Sequence, residues 1–224
     1  MRVPVRYFVC AALFAFGASL ASAQSQVDIG LGFGGAWDKS NGQGIDNANS
    51  PTNPFGACTP NSGDTYCETT GSMNGFFLDF GGDIMFYKHL GFGAEVNIQP
   101  ARNNYGPLTD RQIFYDFNAV YQPLTSKRAA LRIEGGVGGA HTAFSYSESG
   151  CVGNNIACST SVSPVGADNH FQTHVGVGVQ IFLAHNLFIR PQFDIHYAPG
   201  LNNDFNSNFV PEATIWIGFT GGGR

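Results

Sequence analysis

Residues 170–197 read HFQTHVGVGVQIFLAHNLFIRPQFDIHY and hold two segments of strict alternation. In the second, Leu187, Ile189, Phe193, Ile195 and Tyr197 share one parity with Pro191, while Arg190, Gln192, Asp194 and His196 share the other. In the first, Phe171, Val175, Val177, Val179, Ile181 and Leu183 alternate with Gln172, His174, Gly176, Gly178 and Gln180. Successive side chains of a strand point to opposite faces, so each segment is a strand with one apolar and one polar face. Only Ala184, His185 and Asn186 separate them, which predicts a tight antiparallel hairpin. Pro191 removes a ladder donor, so a bulge or a missing bond is expected beside it.

The same alternation extends along the chain. Strands are predicted over about 27–37, 76–87, 90–98, 111–122 and 129–144, then the hairpin, then 210–219. The connections alternate in length: long (38–74), short (88–89), medium (101–110), short (123–128), long (146–169), short (184–186) and medium (199–208). That makes eight strands, with short turns at one end and longer loops at the other. Residues 1–23 place Arg2 and Arg6 before an apolar run that closes on Ala21-Ser22-Ala23, the pattern of a secretory signal peptide. A single β domain is expected over 24–224.

Composition agrees with strands and turns. Charged residues are 12% of the chain, glycines number 30 and the formal net charge is −5. Cleavage after Ala23 removes two arginines and makes the chain more acidic still, which excludes a nucleic-acid binder in the ordinary electrostatic sense. Cys58, Cys67, Cys151 and Cys158 remain after cleavage, each pair enclosing a short polar segment. In an exported chain this suggests two local disulfides; cross-pairing and a four-thiolate zinc site are the alternatives, and the spacing lacks CxxC.

An apolar face can point into a soluble barrel, as in a lipocalin, or out into lipid. Eight dyad-repeat strands, alternating loop lengths and the stretch Ile215-Trp216-Ile217-Gly218-Phe219 near the C-terminus resemble the small eight-stranded outer-membrane barrels of the OmpA-like and OmpX-like, porin-family group. The resemblance covers nearly all of the chain after the leader. It implies an all-β, eight-stranded antiparallel up-and-down transmembrane β-barrel in the outer membrane of a Gram-negative type bacterium, with loops outside and termini in the periplasm. It further implies a barrel bounded by outer-membrane lipid and handed over by the barrel-assembly machinery; a monomer with no cofactor and no enzymatic activity is expected.

On this reading the lumen parity collects Asp28, Asp79, Asp83, Glu95, Asp116, Glu134, Asp194 and Glu212 against Arg132, Arg190, His174 and His196. Eight strands leave room for side chains to fill the interior, so a polar plug is expected, with Arg132 and Arg190 each binding at least one carboxylate. A small cation-preferring channel is the alternative. An aromatic girdle is expected from Trp37, Phe76, Phe171 and Tyr197 at the loop end and from Phe86, Tyr87, Tyr121, Phe188 and Phe219 at the turn end. Lipid A-modifying barrels use His and Ser near the outer leaflet; His141, Ser145, His170 and His174 are the candidates here, without a spacing that joins them. The outer loops could instead contact an extracellular ligand.

Overall fold

The computed structural model describes residues 26–52, 54–87, 89–152, 157–183 and 186–222, without the side chains of 151–158. The expected signal peptide lies outside the described residues. Eight long antiparallel strands form a ring: β1 (Gln26–Asp38), β5 (Met73–Tyr87), β6 (Leu90–Ile98), β8 (Leu108–Thr125), β9 (Ala129–Val152), β10 (Ala157–Phe182), β11 (Leu187–Tyr197) and β12 (Phe209–Gly221). Each pairs with its neighbour in sequence along the ring. Closure comes from β1 against β12, Val27 opposite Gly221 through Ala36 opposite Glu212. A ring leaves no strand edge unpaired, the condition for a sheet to span lipid.

The parity of each strand sets what faces where. Leu31, Phe80, Phe92, Phe117, Val137, Val175, Ile195 and Ile217 are exposed on the outside, while the alternate positions are buried. The apolar face therefore points outward, opposite to a lipocalin. Proline 191 fits without a register shift against β12, where it faces Ile215. On its other side, the pairing of β10 with β11 runs from Thr173 opposite Tyr197 to Gly178 opposite Gln192 and resumes only at Ile181 opposite Ile189.

Beyond the apolar belt the chain forms further structure. Within the stretch 146–169, expected as a loop, residues 146–152 and 157–169 continue the β9–β10 ladder to Val152 opposite Ala157, with one irregularity between Pro164 and Gly166. Serine, glycine and asparagine dominate there, so no apolar alternation marked the strands. Cys151 and Cys158 are opposite one another in the backbone register; their expected disulfide lies outside the described side chains. The long first loop folds on itself as a small sheet, with β2 (Gly44–Asp46) between β3 (Ala57–Cys58) and β4 (Cys67–Thr69). A disulfide joins Cys58 to Cys67 across β2. It lies over Gly44, where a Cβ would stand 2.9 Å from the Cys58 sulfur. A short strand β7 (Asn103–Tyr105) pairs with the start of β8, and a 3-10 turn spans Leu201–Asn203.

Candidate functional site

All twelve charged and histidine residues of the lumen parity are buried. They form layers along the barrel axis. Nearest the turn end, Asp28 accepts hydrogen bonds from Gln26 Nε2 and Gln180 Nε2, each at 3.0 Å.

Above it, Arg132 donates directly to Asp83 and, through Nε at 2.6 Å, to Glu134. Gln192 Nε2 also donates to Glu134, at 2.6 Å, and to Asp194 at 3.1 Å. Arg190 is held differently. Its guanidinium is 4.0 Å from Asp83, and its Cζ lies 4.8 Å from the Trp216 ring centre and 5.8 Å from that of Phe188. Stacking on an aromatic face suits the weakly hydrated guanidinium. Gly32 makes room for this platform: a Cβ there would stand 2.9 Å from both Trp216 Cδ2 and Asp79 Cβ. Neither oxygen of the buried Asp79 has a hydrogen-bond partner among the described residues. A cavity of about 10 Å³ bordered by Asp28, Asp83, Glu95, Arg132 and Arg190 has room for about one water.

The next layer holds both histidines. His174 Nδ1 is 3.5 Å from Asp116, and its Nε2 is 3.7 Å from Glu95 and from Glu134. His196 Nε2 donates to Glu212 at 2.8 Å, which also accepts from Asn97 Nδ2 at 2.9 Å. Gln172 Nε2 donates to Asp116 Oδ2 at 2.7 Å.

An apolar layer covers this one at the outer mouth. Met73, Phe77, Phe114, Ala140, Leu201, Phe205 and Val210 are part of one buried cluster. Phe114 stacks on Phe77 at 5.8 Å below the loops and on His196 at 4.9 Å. The sequence reading expected a polar plug and missed this seal. Phe77 and Phe114 occupy the lumen parity, and that was the available signal; Leu201 and Phe205 come from a loop whose folding no periodicity announces.

The girdle residues divide. Trp37, Phe76, Tyr87, Tyr121, Phe171, Tyr197 and Phe219 are exposed on the outer face. Phe86 is half-buried at a register shift between Met85 and Tyr87 and stacks on Phe92 at 5.2 Å. Phe188 requires correction: it is 1% exposed and points into the lumen beside Arg190. It shares the parity of Arg190 and Gln192, and in a regular strand parity overrides proximity to the membrane boundary.

The four enzymatic candidates do not assemble. His174 is in the lumen, His141 bonds Asn169 at 2.8 Å, and His170 faces Asp204 at 3.7 Å. Among the described residues no hydrogen bond joins Ser145 Oγ to any of these histidines.

Beyond the membrane, a cavity of about 450 Å³ opens between the small loop sheet and the long hairpin. Ile45, Phe55, Tyr105, Leu108, Phe144 and Asp168 are among its walls. Tyr105 donates to the Asp204 carbonyl at 2.5 Å and pins the 3-10 turn to the barrel mouth. Burial, with Asp168 nearby, raises the Asp204 carboxyl above its ordinary value, and His170 pulls it partly back.

A closed antiparallel ring, apolar outside and polar within, defines a transmembrane β-barrel of the outer-membrane type. The chain belongs to the outer membrane protein beta-barrel domain family, whose pattern matches residues 8–210, and the outer membrane is its location. Its fold is similar to Neisserial surface protein A (NspA), with 12% identity over 90% of this chain and 98% of that one and a TM-score of 0.53. It is likewise similar to Ail, the attachment invasion locus protein of Yersinia pestis, solved in complex with the heparin analogue sucrose octasulfate, with 11% identity over 88% of this chain and 99% of that one and a TM-score of 0.51. No curated protein sequence matches the chain.

Proposed function

We propose that this protein is a closed outer-membrane barrel that acts through the structure it carries outside the membrane, and that residues 1–23 are its export signal. The observation that carries the reading is the double closure of the lumen. A hydrogen-bonded polar layer fills the barrel, and the buried cluster of Met73, Phe77, Phe114, Leu201 and Phe205 seals it from the loop side. An eight-stranded interior is filled by its own side chains, so a permanent aqueous path has no room.

Function then falls to the loops. Their cleft is of small-ligand size, with Ile45, Phe55, Leu108 and Phe144 beside the polar Gln43, Thr70 and Asn203. Asp168 and Asp204 line it, and no Lys or Arg is among its described walls. This chemistry suits an uncharged or cationic molecule with an apolar face and disfavours a sulfated sugar. Contact with such an extracellular ligand, by a monomeric barrel without enzymatic activity, is the role we assign.

Planar-bilayer recording tests the closure. The refolded chain is expected to show little or no steady conductance. A large, stable conductance that neither Arg132→Ala nor Arg190→Ala alters would replace this reading with a cation-preferring pore, which the excess of buried acids would favour.

A further inference from the structure

The histidine layer has features that hydrogen bonding leaves unexplained. Asp116 on β8, His174 on β10 and His196 on β11 each offer a donor atom, and the three atoms lie within 4.8 Å of one another. All three side chains are fully buried. Asp116 and His196 are each hydrogen-bonded through one atom and left open at the other. Asp116 Oδ2 accepts from Gln172, and its Oδ1 has no hydrogen-bond partner among the described residues. His196 Nε2 donates to Glu212, and its Nδ1 has none. Among the described residues neither nitrogen of His174 makes a hydrogen bond. Its Nδ1 is 3.5 Å from Asp116, whereas charge-assisted hydrogen bonds close to about 2.7–2.9 Å. Two ligands about 2.0–2.1 Å from one tetrahedral zinc ion stand roughly 3.3 Å apart, close to the 3.5 Å between His174 Nδ1 and Asp116.

We propose that Asp116, His174 and His196 bind one divalent transition-metal ion of the Zn²⁺ kind. Two imidazoles and a carboxylate suit zinc and its first-row neighbours, while magnesium and calcium favour oxygen ligands. The surroundings fit a metal's outer shell. A ligating histidine donates a hydrogen bond from its second ring N–H to a carboxylate, which fixes ring and tautomer. Glu212 accepts this bond from His196 at 2.8 Å, and Glu95 and Glu134 stand 3.7 Å from His174 Nε2, where a small ring movement would bring one of them to it. Phe114, stacked on His196, holds the ring plane. Charge points the same way. The lumen buries eight carboxylates against Arg132 and Arg190, and buried charge must be paired or lost. A dication supplies two of the missing positive charges where no guanidinium reaches.

The test uses the full chain purified and refolded in detergent with Co²⁺, whose visible absorption reports nitrogen ligation, followed by displacement with Zn²⁺. One equivalent per chain is expected. His141→Ala, outside the lumen, should leave it unchanged. Asp116→Asn, which keeps the side chain's shape, should weaken binding by at least tenfold, and Glu212→Gln, one shell out, by about 10–100-fold. Heat-modified gel mobility identifies the folded variants. Folded wild-type chain that takes up no Co²⁺ overturns the proposal, as does uptake that Asp116→Asn and Glu212→Gln leave unaltered. Wild-type stoichiometry settles the matter by itself should neither variant fold.

Discussion

Arg132 reaches from β9 across the lumen to Asp83 on β5, and the same guanidinium holds Glu134 two residues along its own strand. One side chain thus compensates two carboxylates from different walls of the barrel. Arg132→Ala leaves both buried, and Arg190, 4.0 Å from Asp83, replaces little of the contact. Removing one partner from a buried pair costs about 3–5 kcal/mol. The variant should convert to its unfolded gel form at clearly lower urea concentration than wild type. Arg132→Lys should recover only part of the loss, since an ammonium lacks the planar fork. Equal urea midpoints for all three chains would mean that this bridge contributes nothing to stability.

Phe114 joins the apolar seal to the histidine layer. Phe114→Ala removes its contacts with Phe77 and His196 and opens space at the outer mouth. Truncating a buried phenylalanine costs about 3–5 kcal/mol. Alongside lower stability, bilayer recordings should show brief, cation-preferring openings absent from wild type. A folded, silent variant of unchanged stability would place the seal elsewhere.

Asp110 lies beyond the lipid-facing stretch of β8, whose exposed apolar residues include Tyr115, Phe117 and Tyr121. Burial pushes its carboxyl from 3.8 up to about 6, against the lowering effect of the Gln112 amide 3.0 Å away. Between those values the folded chain keeps a proton that the unfolded chain has lost. This group therefore favours folding at low pH, and its contribution fades as pH rises through the window. Asp110→Asn should gain on wild type as pH rises from 4 to 6, with a constant lead above that. Urea midpoints at intervals from pH 4 to 7 provide the comparison. A gap between the two chains that does not vary with pH contradicts the assignment.

Phe117 is 71% exposed midway along β8. In water an arginine there would be harmless; at the midplane of a bilayer it costs about 2–4 kcal/mol. Phe117→Arg should lower folding efficiency into lipid vesicles markedly. Wild-type behaviour in vesicles would show that this face does not meet lipid.

The barrel was legible because parity is a local signal. Each strand states its two faces without reference to any other strand, as Val175 against His174 and Ile195 against Asp194 do. What surrounds a lumen residue is a different matter. That Asp83 meets Arg132, or His174 meets Asp116, depends on the stagger between strands, which alternation does not encode. Phe188 was assigned to the girdle by its nearness to a turn, although its parity pointed inward. Phe205 and Leu201 became core only because the loop folds back over the mouth. Residues 146–152 and 157–169 carried no strand signal because no lipid boundary selects their side chains; their pairing is inherited from the ladder below.

Val27 pairs with Gly221, so the contact that completes the ring joins positions from opposite ends of the chain. Such pairing is the slowest kind to form, because the whole intervening chain must be ordered before it is rewarded. Until the final strand arrives, β1 presents an open edge, and an open sheet is stable neither in lipid nor free of other chains in water. Synthesis and folding are therefore separated in time. The chain must be kept apart from its neighbours until residue 221 is available, and then insert as a unit. A copy interrupted before β12 has no partner for β1 and cannot close into a smaller barrel by the same pairing.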